Sequence, residues 1–399
     1  MDLGYNPEYD GYRQAVRTFL SREWPSERPS REARKALERA FRLKAIEAGY
    51  LYRSVPRAYG GSEQPVDLLR AQIIREEFAR ASAPMEIQKP GVNMLVPTLL
   101  ERGTEAQKQR FIPATINGDI AWTQGYSEPA SGSDLASLRT RGELVGGEWI
   151  LNGQKIWSSF AGQADYMFAL IRTEPDAPTK HQGISYLLID LKQPGVTVRP
   201  LKQMNGGAEF CEVFFDDART PADWIVGARG EGWAVSKATL KHERSSIGGA
   251  DRTQQRFDRL LHLARTTRID GRPVIEHPDL RIRLAEISGA LTALKYSSYR
   301  QLSMNAQGES AGIVEMMAKL YATEIGHAIA HAARDVMGDA FLLAPPPEGT
   351  RGSGPERFNN QYMGSLGVAI AGGTSNIQRN IITERGLGLP RDSQVEAVA

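Results

Sequence analysis

Between residues 119 and 229 the chain changes texture, and this constrains its fold more than any other feature. The runs "EWILNGQKIWS", "DYMFALIRT", "GISYLLIDL", "GVTVRPL" and "FCEVFFDDA" are short, apolar and separated by turn residues. Runs of this length, rich in β-branched and aromatic residues, read as strands. Gly146-Gly147 and Asn152-Gly153 read as turn dipeptides between them. On either side the pattern is helical. Val16, Phe19 and Leu20 make one stripe, and Leu68, Leu69, Ile73, Ile74 and Phe78 make another. Thr104 and Gln107 are spaced as a capping box. Beyond Gly230, Leu280, Leu284, Ile287, Leu291 and Leu294 step by three and four, while Ile313, Met316, Met317, Leu320 and Ile325 do so less strictly. The expected fold is α+β in three parts: helices over 1–118, a compact β unit over 119–229 and a helical bundle over 230–399. The Pro/Gly-rich stretch 342–358 reads as a loop.

Composition mainly excludes. With 49 basic and 47 acidic residues, the chain offers no electrostatic case for nucleic acid or an anionic membrane. A single cysteine, Cys211, rules out an intrachain disulfide, and its alternating segment reads as a buried small hydrophobe. The polar, acidic N-terminus lacks a signal-peptide pattern, and no apolar run is long enough to span a bilayer. A cytoplasmic protein is expected. G-x-G-x-x-G and Walker patterns are absent, so a dinucleotide site would not be of the Rossmann type. Glu324, His327 and His331 share a helix face, but one Glu-x-x-His motif is half of a di-iron set, and no metal is expected.

Three stretches carry more than turn chemistry. "WTQGYSEPASGSDLASLRT" (122–140) crowds hydroxyls and glycine around Glu128. "NGQKIWSSFAGQADY" (152–166) puts Trp157 before two hydroxyls on a strand, where core filler is the plainer reading. "VAIAGGTSNIQRNII" (368–382) ends an apolar run on two glycines and starts a helix at Thr374 and Ser375.

Together these stretches resemble the acyl-CoA dehydrogenase family. "YSEPASGSD" is similar to its (T/S)EPxxGSD motif, "LNGQKIWSS" to its second strand motif and "GGTSNIQRNIITERGLGLP" to its C-terminal motif. "FFDDARTPADWIVGARGEGW" resembles its passage from barrel to bundle. The resemblance covers nearly the whole chain. It implies a helical domain, a central β-barrel and a four-helix bundle, with FAD between barrel and bundle and across a subunit interface. It implies dehydrogenation of an acyl-CoA thioester to a trans-2-enoyl-CoA, with electron-transfer flavoprotein as acceptor. Carried over by motif, Gln124, Tyr126, Ser127, Trp157 and Ser159 would hold the flavin, Ser133 would touch the CoA portion, and Thr374 and Asn376 would lie near the cofactor.

The sequence departs from the family at three places. Many members read Tyr-Glu-Gly-Thr, with that glutamate as base; here Gly372 stands in its position. A second family arrangement puts the base on a bundle helix before an arginine, and "TLKHERSSIGG" places Glu243-Arg244 there. Glu243 is thus the expected base, with His242 as the weaker candidate. Arg244 is a structural or CoA contact, and Gly372 N–H a donor to the thioester oxygen. The Arg-x-x-Phe-Gly grip on the neighbour's pyrophosphate is replaced by "TRIDG" (267–271), and a glycine-rich arm by "DVMGDAFLLAPPPEG", with Asp335 and Asp339 where neutral groups are expected. These losses resemble heteromeric acyl-CoA dehydrogenases of steroid side-chain degradation and imply a tetramer with a paralogous subunit; a homotetramer stays open. So do an acyl-CoA oxidase, an acyl-carrier-protein dehydrogenase, and a non-catalytic subunit. A branched or steroid-like acyl group follows from the subgroup alone.

Overall fold

The structure is a computed structural model and describes residues 7–25, 31–247, 250–307, 309–342 and 356–390. It divides into two compact units, Met1–Arg199 with Cys211–Thr239, and Pro200–Phe210 with Leu240–Ala399.

In the first unit the predicted stripes become buried faces, except that Leu68 is only partly buried and Leu69 is exposed. Helix α1 (Pro7–Glu23) buries Val16, Phe19 and Leu20, and α3 (Leu68–Arg80) buries Ile73, Ile74 and Phe78. Phe41, on α2 (Arg31–Glu47), packs against Phe19 and Phe78 with both ring centroids 5.8 Å away. Glu77 is buried in α3. Burial alone would raise its carboxyl, but hydrogen bonds from Arg17, Arg13 and Arg80 hold it at about 2. A short helix α4 (Val96–Arg102) leads into α5 (Glu105–Asn117), which opens on the predicted capping box: Thr104 Oγ1 accepts from Gln107 N, and the Gln107 side chain accepts from Thr104 N. The Gln107 amide also donates to the carbonyls of Asp223 and Ile225, both at 2.7 Å, tying α5 to the sheet.

Eight strands form one mixed sheet. They are β1 (Trp122–Gly125), β2 (Arg141–Val145), β3 (Glu148–Ser159), β4 (Tyr166–Arg172), β5 (Ile184–Asp190), β6 (Val196–Pro200), β7 (Phe210–Pro221) and β8 (Ile225–Val226). The order is β6-β7-β3-β2-β4-β5-β8, and β1 lies parallel to β4 off that path, so β4 has three neighbours. Gly146 and Gly147, at φ 60° and 88°, turn β2 into β3 as two-residue hairpin positions demand. Cys211 is buried among Trp149, Leu151, Val213 and Phe215.

One turn reading needs correcting. Asn152-Gly153 lies inside the twelve-residue β3. Gly153 is required there because a Cβ would come within 2.7 Å of Thr140 Cα, and Asn152 exchanges hydrogen bonds with Asp217 on β7. A turn dipeptide and a close-packed strand glycine look alike in sequence.

Helix α6 (Gly232–Ile247) follows the sheet, and α7 (Ala250–Thr266), α8 (Pro278–Ala306), α9 (Ile313–Met337), α10 (Glu356–Ile370) and α11 (Ser375–Ile381) follow it. All five predicted leucine and isoleucine positions of α8 are buried, against Leu260 of α7 and Ile325, Ile329 and Val336 of α9. The looser stripe is looser in fact: Ile325 is buried, whereas Met317 is 44% exposed. Residues 343–355 of the expected loop lie outside the described residues, and α10 already begins at Glu356.

Candidate active site

The site residues of the first unit converge at the ends of β1 and β3. Ile156 N–H donates to Ser127 O at 2.9 Å, and Thr123 Oγ1 donates to Ser159 O at 2.8 Å. These bonds place Gln124, Ser127, Trp157 and Ser159 along one strand edge. Trp157 and Phe160 take left-handed angles, φ 62° and 59°, and are 58% and 48% exposed. A bulky residue in this region carries strain of about 1–3 kcal/mol, which persists only where the surroundings enforce it. Ser158 is fully buried, and its hydroxyl makes no hydrogen bond among the described residues. An aromatic shelf beside polar groups suits a planar, hydrogen-bonding ring such as a flavin. The Tyr126 ring lies inside the sheet, edge-on to Phe168 and Tyr186, with centroids 6.2 Å away in each case.

What holds this edge is an ion pair. Lys155 is inaccessible to solvent, and its Nζ donates to Glu128 Oε1 at 2.8 Å and to Tyr126 O at 3.4 Å. The Glu128 carboxylate also accepts from Arg139 N at 2.6 Å and Thr140 N at 2.9 Å. Burial would raise the Glu128 carboxyl, but Lys155 and the N–H donors lower it overall. Burial pushes the Lys155 ammonium down to about 8 in spite of Glu128. One carboxylate thus closes the loop 128–140 onto β3. Ser133 lies exposed on that loop.

The second unit, taken by itself, carries the two-glycine turn. Gly372 and Gly373 have φ 65° and 94°. The Gln378 amide donates to Gly372 O at 3.0 Å, and the buried Lys319 of α9 donates to Gly373 O at 2.8 Å. Thr374 Oγ1 caps α11 by accepting from Ile377 N at 3.2 Å. The Thr374 hydroxyl is therefore used within the helix start. The Asn376 side-chain Oδ1 accepts from Arg379 Nη1 at 3.4 Å. Arg379 also pairs with Glu324 at 2.9 Å, which fastens α11 to α9.

Glu243 and Arg244 belong to α6, and their side chains lie outside the described residues. His242 is half-buried on the same helix. The divergent arms have plain local explanations. Asp270 and Gly271, at φ 50° and 79°, form the turn of a small hairpin pairing Arg268–Ile269 with Arg272–Pro273, and Arg268 Nη1 donates to Gly271 O at 2.9 Å. Burial would raise the Asp335 carboxyl, but bonds from Arg283 and Arg334 lower it overall. His327 Nδ1 bonds Ser365 Oγ at 3.0 Å, and His331 meets the Tyr362 ring.

Sequence reading missed Glu128, Lys155, Lys319 and Gln378 as site-forming residues. The first two stand within the quoted motifs, and Lys319 interrupts the apolar pattern of α9, a signal that a charge is buried.

The acyl-CoA dehydrogenase N-terminal, middle and C-terminal domain descriptions match residues 6–119, 123–218 and 230–387 in turn. The chain belongs to the acyl-CoA dehydrogenase family. It is an oxidoreductase chain with that family's helical, sheet and helical domains. It is 38% identical over 369 residues to the acyl-CoA dehydrogenase IpdE1 of Mycobacterium tuberculosis, covering 92% of each chain. Among solved structures it resembles the ChsE4–ChsE5 complex of the same organism, with TM-score 0.77, 28% identity and coverage of 98% of this chain and 100% of that one. The Tcur3481–Tcur3483 steroid ACAD matches with the same four values.

Proposed function

We propose that this chain removes two hydrogens from an acyl-CoA thioester with FAD as acceptor, giving a trans-2-enoyl-CoA. The observation that carries this reading is the Ile156–Ser127 bond, which lines up the two strand motifs. Bound FAD supplies the hydride acceptor that no side chain provides. Ser127, Trp157 and Ser159, with Gln124 and Tyr126, would hold it, and Ser133 would meet the CoA portion. The Glu243 carboxylate takes the α-proton as the β-hydride leaves. The α-carbon is a weak acid, so negative charge on the thioester oxygen needs donors placed in advance. Gly372 N–H supplies one, since that role needs no side chain. Arg244 contacts the CoA portion, and the N–H groups of Thr374 and Asn376 face the cofactor. Electron-transfer flavoprotein is the expected acceptor.

The relatives named above support a branched or polycyclic acyl group and a tetramer with a paralogous chain. Arg268, occupied with its own turn, supports the same assembly, because it is not held out toward a neighbour's cofactor. The absence of a side chain at Gly372 favours a second reading, a non-catalytic subunit. To separate the two, the chain is purified alone and with its paralogue. Flavin content is measured, and turnover is followed with straight, branched and polycyclic acyl-CoA and an acceptor dye. Turnover of the pair, lost when Glu243 alone is changed, is expected. A flavin-loaded pair that loses no activity on that change would assign the chemistry to the other subunit.

A further inference from the structure

We propose that Lys155 is a positioning residue for the cofactor: through the Tyr126 carbonyl it aims the Ser127 N–H at the flavin, and its charge favours the reduced, electron-richer ring. This rests on the flavin-binding part of the acyl-CoA dehydrogenase reading. Lys155 is inaccessible to solvent, and its Nζ lies 3.4 Å from Tyr126 O and 2.8 Å from Glu128 Oε1. The peptide between Tyr126 and Ser127 is trans, so its N–H points away from the carbonyl that Lys155 holds. The carbonyl of Ser127 itself accepts from Ile156 N at 2.9 Å. Both peptides that flank Ser127 are thus pinned from β3. The N–H of the next residue, Glu128, donates to Ser131 O at 3.0 Å, whereas the Ser127 N–H has no partner among the described residues.

A sheet interior does not need this lysine. Glu128 already accepts two main-chain N–H groups, and a buried ion pair is often no more stable than apolar residues of the same volume. Arg172 lies close enough to act on both partners, so two cations face one carboxylate and this cluster keeps a net positive charge. Held at a fixed distance in a low dielectric, that charge polarises the peptide between Tyr126 and Ser127 and strengthens its N–H as a donor. A flavin ring gains electron density on reduction. A stronger donor with a positive charge behind it therefore holds the reduced ring more tightly than the oxidised one.

The test uses flavin-loaded protein, purified with its paralogue, and measures the reduction potential of the flavin against a reference dye. Lys155→Met with Glu128→Leu removes the cation without leaving a buried carboxylate alone. In this variant the reduced flavin is expected to be held about tenfold less tightly relative to the oxidised flavin, which lowers the potential by about 30 mV for a two-electron couple. A pair that only supports the fold would weaken both forms alike. A folded, flavin-loaded variant with an unchanged or raised potential would therefore overturn the proposal. If that variant does not hold flavin, the otherwise unmodified chain is labelled with carbon-13 at its tyrosine carbonyls, and the infrared difference between oxidised and reduced flavin is recorded. A labelled carbonyl band that disappears in Tyr126→Phe supports the proposal, and a difference without such a band overturns it. Unmodified protein that holds flavin but is not bleached by any acyl-CoA would instead overturn the dehydrogenase reading and leave the flavin contact standing. Unmodified protein that holds no flavin would overturn both.

Discussion

The strand edge and the helix start each depend on a buried lysine, but in different ways. At the strand edge, Lys155 meets a carboxylate that also accepts two main-chain N–H groups, so loop 128–140 and β3 are locked by one charged cluster. At the helix start, Lys319 and Gln378 hold main-chain carbonyls, and Thr374 caps its own helix. Nothing in that second arrangement uses a side chain at 372, and φ 65° favours glycine there. The strand edge therefore depends on its ionic side chains, whereas the turn asks for no side chain at position 372.

Three stability measurements bear on this contrast. The largest effect is expected at the strand edge. Lys155→Met leaves Glu128 buried without its cation and should cost about 3–5 kcal/mol, read as a lowered denaturation midpoint with loss of bound flavin. Converting both residues, in Lys155→Met with Glu128→Leu, should recover part of the loss; no recovery would mean that the cluster does not act as a pair. At the helix start, Gly372→Ala should cost less, about 1–2 kcal/mol, from the left-handed angle alone. A loss as large as that of Lys155→Met would erase the contrast. The smallest effect is a pH dependence. Lys155 sits at about 8 in the folded protein against an ordinary 10.5. Between these values the unfolded chain binds the extra proton, so stability rises with pH across that window. The stability of the unmodified protein relative to Lys155→Met should therefore increase above pH 8, and no increase would mean that the buried ammonium stays charged.

Much of the fold was legible because its signals are local. The α8 stripe, the Thr104 capping box and the Gly146-Gly147 hairpin each depend on residues within a few positions of one another. Gly153 was misread because its reason lies on another strand, at Thr140. The resemblance marked Asp270 as a departure from a cofactor-binding arm, but it did not show that Asp270-Gly271 turns a small hairpin. In the site, the resemblance pointed to Ser127 and Trp157. It did not show that Glu128 and Lys155, twenty-seven residues apart, are partners, nor that Lys319 reaches a carbonyl fifty-four residues away. Such pairings depend on tertiary packing, which periodicity does not encode.

The central claim is that the proton leaves to α6 rather than to the two-glycine turn. Its most direct test is anaerobic mixing of flavin-loaded Glu243→Gln protein with an acyl-CoA that bleaches the unmodified enzyme. The account predicts bound flavin whose visible band persists, with reduction slowed by about 10²–10⁴-fold, the range that a positioned general base contributes. Bleaching at the unmodified rate would contradict it.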